Sequence, residues 1–182
     1  MEWVLGIIVG VSLSAACGFR VFVPMLVMSI AVHSGNLTPA SGFEWLGTWL
    51  ALTAFSIATL LEIAAYFIPV VNNILDTIAT PAAFVAGTVL TASMAGELSP
   101  VLRWALAAVA GGAVAGGVQL ATVSARTALT PLGGSGAVSA AEDGAAVATS
   151  VLAVTVPVLA VGLLVLAAAV VFRKKHKQSI RV

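Results

Sequence analysis

Glu62 lies seven residues before Pro69, and Asp76 lies seven after it. If Pro69 turns a helical hairpin, this spacing sets both carboxylates at one depth, about 10 Å in from the turn. Two such groups in a low dielectric do not both stay charged cheaply, so they share a proton or hold a cation. Glu62, Tyr66, Pro69, Asn73, Asp76 and Thr80 recur at intervals of 4, 3, 4, 3 and 4, the helical repeat that gathers polar groups on one face. A plainer reading of the same stripe has Glu62 and Tyr66 reaching to an interface while Asn73 and Asp76 cap a helix. Arg20, Arg126 and the Glu142-Asp143 pair complete the set of ion- or substrate-binding candidates. Their opposite signs can offset burial, as a ligand site or as ion pairs that fix helix packing.

What makes these residues conspicuous is the chain that holds them. Of its 182 residues, 60% are hydrophobic and 8% charged, against roughly 25% charged in a soluble domain. With a mean hydropathy of +1.13, there is too little polar surface for a water-soluble globule, and most of the outside must face lipid. The formal net charge is +1, but its distribution is uneven. Arg173, Lys174, Lys175, Lys177 and Arg181 form a terminal cluster, which reads as a cytoplasmic topology signal and not as a nucleic-acid site. The single cysteine, Cys17, excludes an internal disulfide and a zinc module. The opening MEWVLGIIVGVSLSAAC loosely imitates a lipoprotein signal, yet only Glu2 precedes its apolar run. A retained first helix is the expectation.

The elements that must position the charges come from the apolar stretches 3–33, 45–68, 70–96, 101–123 and 145–172. A crossing needs about 20 residues. The first stretch is long for one crossing and short for two, and Gly18, Arg20 and Pro24 interrupt it. A helix anchored by Trp3 would carry Arg20 about 26 Å along its axis, to the opposite face. If the chain then returns, there are six crossings. Arg20, the Pro69 turn, Arg126 and Glu142-Asp143 all meet on the extracytoplasmic side, and both termini are cytoplasmic. With five crossings Arg20 is stranded from Glu62 and Asp76, so six is preferred. Trp45, Trp49 and Trp104 mark interfaces. Segments 34–43, 96–100 and 130–136 carry the Gly, Pro, Asn and Ser of loops.

Two weaker patterns concern packing. Gly6 and Gly10 form one GxxxG and Gly112 and Gly116 another; small faces of this kind bring helices close, within the bundle or in a homodimer, and internal use is expected. An Arg followed by a Pro, then acids, then a helix with a central Pro (Pro81, Pro157) recurs in each half, as transporter repeats do. The resulting fold class is all-α, a polytopic transmembrane helix bundle with broken or Pro-kinked helices and two weak internal repeats. It forms one transmembrane domain over 1–172, followed by a basic cytoplasmic tail at 173–182.

Three segments, GFRVFVP (18–24), LEIAAYFIPVVNNILDTIATPAA (61–83) and AEDG (141–144), resemble the bacterial membrane-protein family catalogued as domain of unknown function 4126. The resemblance covers nearly the whole chain apart from the basic tail. It implies a compact helical protein of the inner membrane, and no activity follows from it. Asn72 departs from the family pattern, which has an Asp before the Asn, and this lowers the local negative charge.

Enzyme chemistry is not expected. Gly133-Gly134-Ser135-Gly136 has the form of an intramembrane serine protease motif, but His33 and His176 are in no position to serve as its base. No HExxH, phosphate loop or dinucleotide fingerprint is present, so no metal and no cofactor are expected. The sequence predicts an integral membrane protein that moves a small ion or solute, with Glu62 and Asp76 as a proton or cation site and Arg20 as a partner or anion contact. The competing expectation is a non-transporting scaffold or assembly factor whose charges form structural pairs. Membrane lipids, a small ion or solute and a second copy of the chain are the expected partners.

Overall fold

The computed structural model describes residues 2–129 and 135–157, and these fold into helices and short turns with no strand among them. The basic tail, most of 130–136 and residues 158–172 of the last apolar stretch lie outside the described residues. Helix α1 (Glu2–Cys17) is followed by α2 (Phe22–His33), a 3-10 turn (Glu44–Gly47), α3 (Trp49–Tyr66) and α4 (Pro69–Met94). Then come α5 (Pro100–Leu106), a π-helical segment (Ala107–Gly112) that runs on into α6 (Ala113–Leu129), and α7 (Ser135–Thr155). Among the described residues, four spans are long and apolar enough to cross a membrane: Trp49–Tyr66, Ile74–Met94, Pro100–Ala128 and Gly136–Thr155. Helices α1 and α2 are apolar but shorter.

Local chemistry sets the boundaries. The first stretch does break, between Cys17 and Phe22, and Pro24 falls in the first turn of α2, where a missing N–H costs nothing. Helix α2 ends at Gly35, whose φ of +77° is the left-handed conformation glycine adopts freely. Thr48 caps α3 by accepting the Ala51 N–H at 3.2 Å. Pro69 and Pro100 each stand in the first turn of their helices, positions that need no donor. Pro81 lies inside α4. Pro157, expected near the middle of a helix, stands two residues beyond the end of α7, and the residues after it lie outside the described residues.

Contacts between helices give their directions. Gly6 of α1 rests against Met94 of α4, Gly10 against Thr91, and Ser14 donates to the Gly87 carbonyl at 2.6 Å, so α1 and α4 run antiparallel. Gly111 meets Gly87, and Gly116 meets Phe84, so the α5–α6 span runs antiparallel to α4 in turn. Together with α2 packed on α3 and α7 on α1, the six segments alternate in direction. The Cys17–Phe22 break, the Pro69 turn, the end of α6 and the start of α7 therefore share one end of the bundle.

The core of the bundle is a seam of small residues. A Cβ on Gly87 would stand 2.6 Å from the Ala115 methyl, and one on Gly111 2.5 Å from the Gly87 carbonyl. Only glycine permits this approach. Within the seam Ser14 also shares a hydrogen bond with Thr91 (2.8 Å) and donates to its own helix at Gly10 (2.8 Å). Both GxxxG pairs turn inward onto α4, which is the internal use expected from the sequence. The π-helical segment, one residue wider per turn, sets the adjacent Gly111 and Gly112 both against α4.

Candidate functional site

Helix α7 begins ten residues earlier than hydropathy suggests, at Ser135 and not at Ala145. The reason is that Glu142 and Asp143 lower the local hydropathy although they sit inside the helix, on its second and third turns. Their carboxylates meet Arg20, which stands at the α1–α2 break. Arg20 Nε donates to Asp143 Oδ1 at 2.6 Å, Nη1 to Glu142 Oε2 at 2.8 Å and to the Phe19 carbonyl at 3.1 Å, and Nη2 to the Ser139 carbonyl at 3.1 Å. The guanidinium is fully buried, and the four acceptors give its donors the partners that burial demands.

Arg126, near the end of α6, reaches the same place from the other side. Its Nη1 donates to Asp76 Oδ1 and its Nη2 to Glu142 Oε2. Glu142 Oε2 is thus the shared acceptor of both arginines. The Tyr66 ring, buried at the end of α3, lies under both guanidiniums, 4.0 Å from Arg20 and 4.6 Å from Arg126, where its π face adds attraction to each cation. Helices α3, α4, α6, α7 and the α1–α2 break are tied at one point by these contacts.

Glu62 does something different. Its Oε1 accepts the Val21 N–H at 2.7 Å and its Oε2 the Phe22 N–H at 3.0 Å, so it closes the N-terminus of α2 across from α3. None of the four ion pairs among the described residues involves it. The sequence places Glu62 and Asp76 as neighbours; in the structure each has its own partner, and no hydrogen bond joins them among the described residues. Helices α3 and α4 do not close on each other. An apolar cavity of about 330 Å³ separates them, lined by Glu62 and Tyr66 from one side and Leu75 and Ile78 from the other. Asn73 lies on the first turns of α4, with its side chain outside the described residues.

Three residues of the site are absent from the sequence expectation. Tyr66 was visible in the polar stripe, four residues after Glu62, but its place between two cations depends on how α3 is rotated. Ser139, one turn before Glu142, and Gln119, two turns before Arg126, share the faces of their acidic and basic partners. Both are buried, and Ser139 Oγ, Gln119 Nε2 and Glu142 Oε1 have no hydrogen-bond partner among the described residues. A second cavity, about 480 Å³, opens between α6 and α7 and is lined by Phe19, Thr122 and Glu142. No group of three or more His, Cys, Asp or Glu converges as a metal-ligand set among the described residues. His33 is far from Ser135, at the opposite end of the bundle, with its Nδ1 2.8 Å from the Gly47 carbonyl.

Residues 7–176 match the family described as Domain of unknown function (DUF4126). No curated protein and no solved structure matches the chain.

Proposed function

The chain belongs to the DUF4126 family, and from that starting point we propose that it is a multi-pass carrier of the bacterial inner membrane, with its basic tail in the cytoplasm. It moves a proton or a small cation, alone or coupled to a small solute, through the charge cluster at one end of its bundle, and it is not an enzyme. A composition and four long helices that suit an integral membrane protein support the first part.

The observation that carries the second part is an imbalance. Four carboxylates, Glu62, Asp76, Glu142 and Asp143, stand against two guanidiniums, Arg20 and Arg126, and Glu142 Oε1 has no donor although the residue is 4% exposed. The cluster is two positive charges short, and a proton or small cation taken up at Glu142 offsets part of that deficit where a donor is missing. The arginines sharing Glu142 Oε2 leave Oε1 as the exchanging atom, and the α6–α7 cavity gives it a route to the outside. A group that gains and loses a charge at the junction of several helices can bias their packing, which is what coupling requires.

The scaffold reading keeps one observation in its favour: Arg20 and Arg126 already join helices as structural pairs do. Flux in proteoliposomes after a pH jump or a cation jump separates the two. The carrier gives a specific flux that Glu142→Gln and Asp76→Asn abolish while staying monodisperse. No flux from the native protein under either gradient, with variants that merely lose stability, leaves the scaffold.

A further inference from the structure

Glu62 is the one carboxylate of the charged end outside the ion-pair network, and it faces an apolar cavity. Its two oxygens take one backbone N–H each, and a carboxylate has roughly four acceptor sites, so two remain. The cavity that it lines, about 330 Å³, is within the roughly 300–1,000 Å³ usual for small-molecule sites. Its other walls are aliphatic and aromatic, with Phe22, Leu61, Tyr66, Ile78 and Ala82 among them, and no described Lys, Arg or His lines it. Leu61 and Ile78 are more than half exposed on the outer surface, so the opening faces lipid. A neighbouring cavity of about 470 Å³ between α2 and α4 shares Val21, Phe22 and Ala82 with it, which makes one groove along α4.

We propose that this groove is a binding site for lipophilic cations, an ammonium on an apolar body, held by Glu62 and entered from the membrane. A carboxylate without an ion pair in a lipid-facing apolar wall selects positive charge, because a neutral or anionic guest leaves its charge uncompensated. The aliphatic walls supply the remaining affinity, and the shared wall at Ala82 gives room for an extended body. Tyr66 lines the same cavity, and Arg20 and Arg126 lie 4.0 and 4.6 Å from its ring centroid. The inference rests on the carrier reading for its sense, since it names the substrate class, but its test does not depend on transport.

Binding of naphthylmethylammonium and of its neutral counterpart naphthylmethanol is measured on the full chain in nanodiscs, without any gradient. The native protein binds the cation about tenfold or more tighter than the alcohol, and Glu62→Gln erases that preference. Ala82→Trp fills the groove from the opposite wall without touching the carboxylate, and it weakens both ligands even if Glu62→Gln fails to fold. Equal affinity for cation and alcohol in the native protein, or a preference that survives in Glu62→Gln, overturns the proposal, as does unchanged binding in Ala82→Trp. Nanodiscs of phosphatidylglycerol alone and of its mixture with phosphatidylethanolamine separate the two sources of ammonium: competition by the mixture assigns a lipid headgroup, and its absence assigns a free lipophilic cation. Absence of selective cation binding beside intact proton flux refutes this site alone, whereas cation binding without flux refutes only the carrier reading.

Discussion

At one end of the bundle all four tryptophans, Trp3, Trp45, Trp49 and Trp104, stand about half exposed or more around short loops; at the other, Arg20 and Arg126 are buried among carboxylates. The tryptophan end is stabilised by local and separate contacts. Thr48 caps α3, His33 packs edge-on against Trp49 at 4.4 Å, and Arg103 donates to the Gly96 carbonyl at 2.9 Å. Each can be lost without stranding another. The charged end is stabilised by mutual dependence, because removing either arginine strands one aspartate and leaves Glu142 with a single guanidinium. Tolerance therefore differs between the ends, and so does the capacity to respond to an ion, which a set of independent contacts lacks.

Five substitutions sharpen or break that contrast. Arg126→Ala leaves Asp76 without its guanidinium and Glu142 with Arg20 alone, and is expected to cost about 3–5 kcal/mol, read as a lowered unfolding midpoint in detergent. Arg103→Ala at the tryptophan end should stay within about 0.5 kcal/mol, and an equal loss at both ends would erase the distinction. Next in size is Gly111→Ala, which pushes a methyl into the Gly87 carbonyl; overpacking of this kind costs about 1–3 kcal/mol, and the same assay reads it. Thr48→Ala removes an N-cap at the tolerant end for about 1 kcal/mol. Ser14→Ala in the seam follows at about 0.6 kcal/mol, by the usual strength of interhelical hydrogen bonds in membranes. A loss from Ser14→Ala as large as that from Arg126→Ala would move the centre of stability from the charges to the seam.

Much of the charged end is legible in the sequence, because an ionisable residue in an apolar chain announces itself by its cost. Arg20, Arg126, Asp76, Glu142 and Asp143 all stand out that way, and alternation of segments brings them together. Their pairing is not legible. Which acid meets which base depends on the rotation of each helix and on the gap between α3 and α4, and neither leaves a mark in spacing. The same two acids that signal the site also hide the first turns of α7, since a hydropathy reading starts the helix only after them. The break between α1 and α2 is readable from Gly18 and Pro24, whereas the π-helical segment in a run of Ala and Gly has no sequence signal. Tyr66, apparent as part of a stripe, acquires its role only from the two cations that meet its ring.

The central claim is that Glu142 exchanges a proton or small cation at the one oxygen its arginines leave free. Infrared difference spectra of the full chain, recorded on changing pH and then on changing the monovalent cation, test it directly. The account predicts a carboxyl or carboxylate band that responds to one of these changes in the native protein and is lost in Glu142→Gln. A spectrum without any such band, or with one that survives in Glu142→Gln, contradicts it.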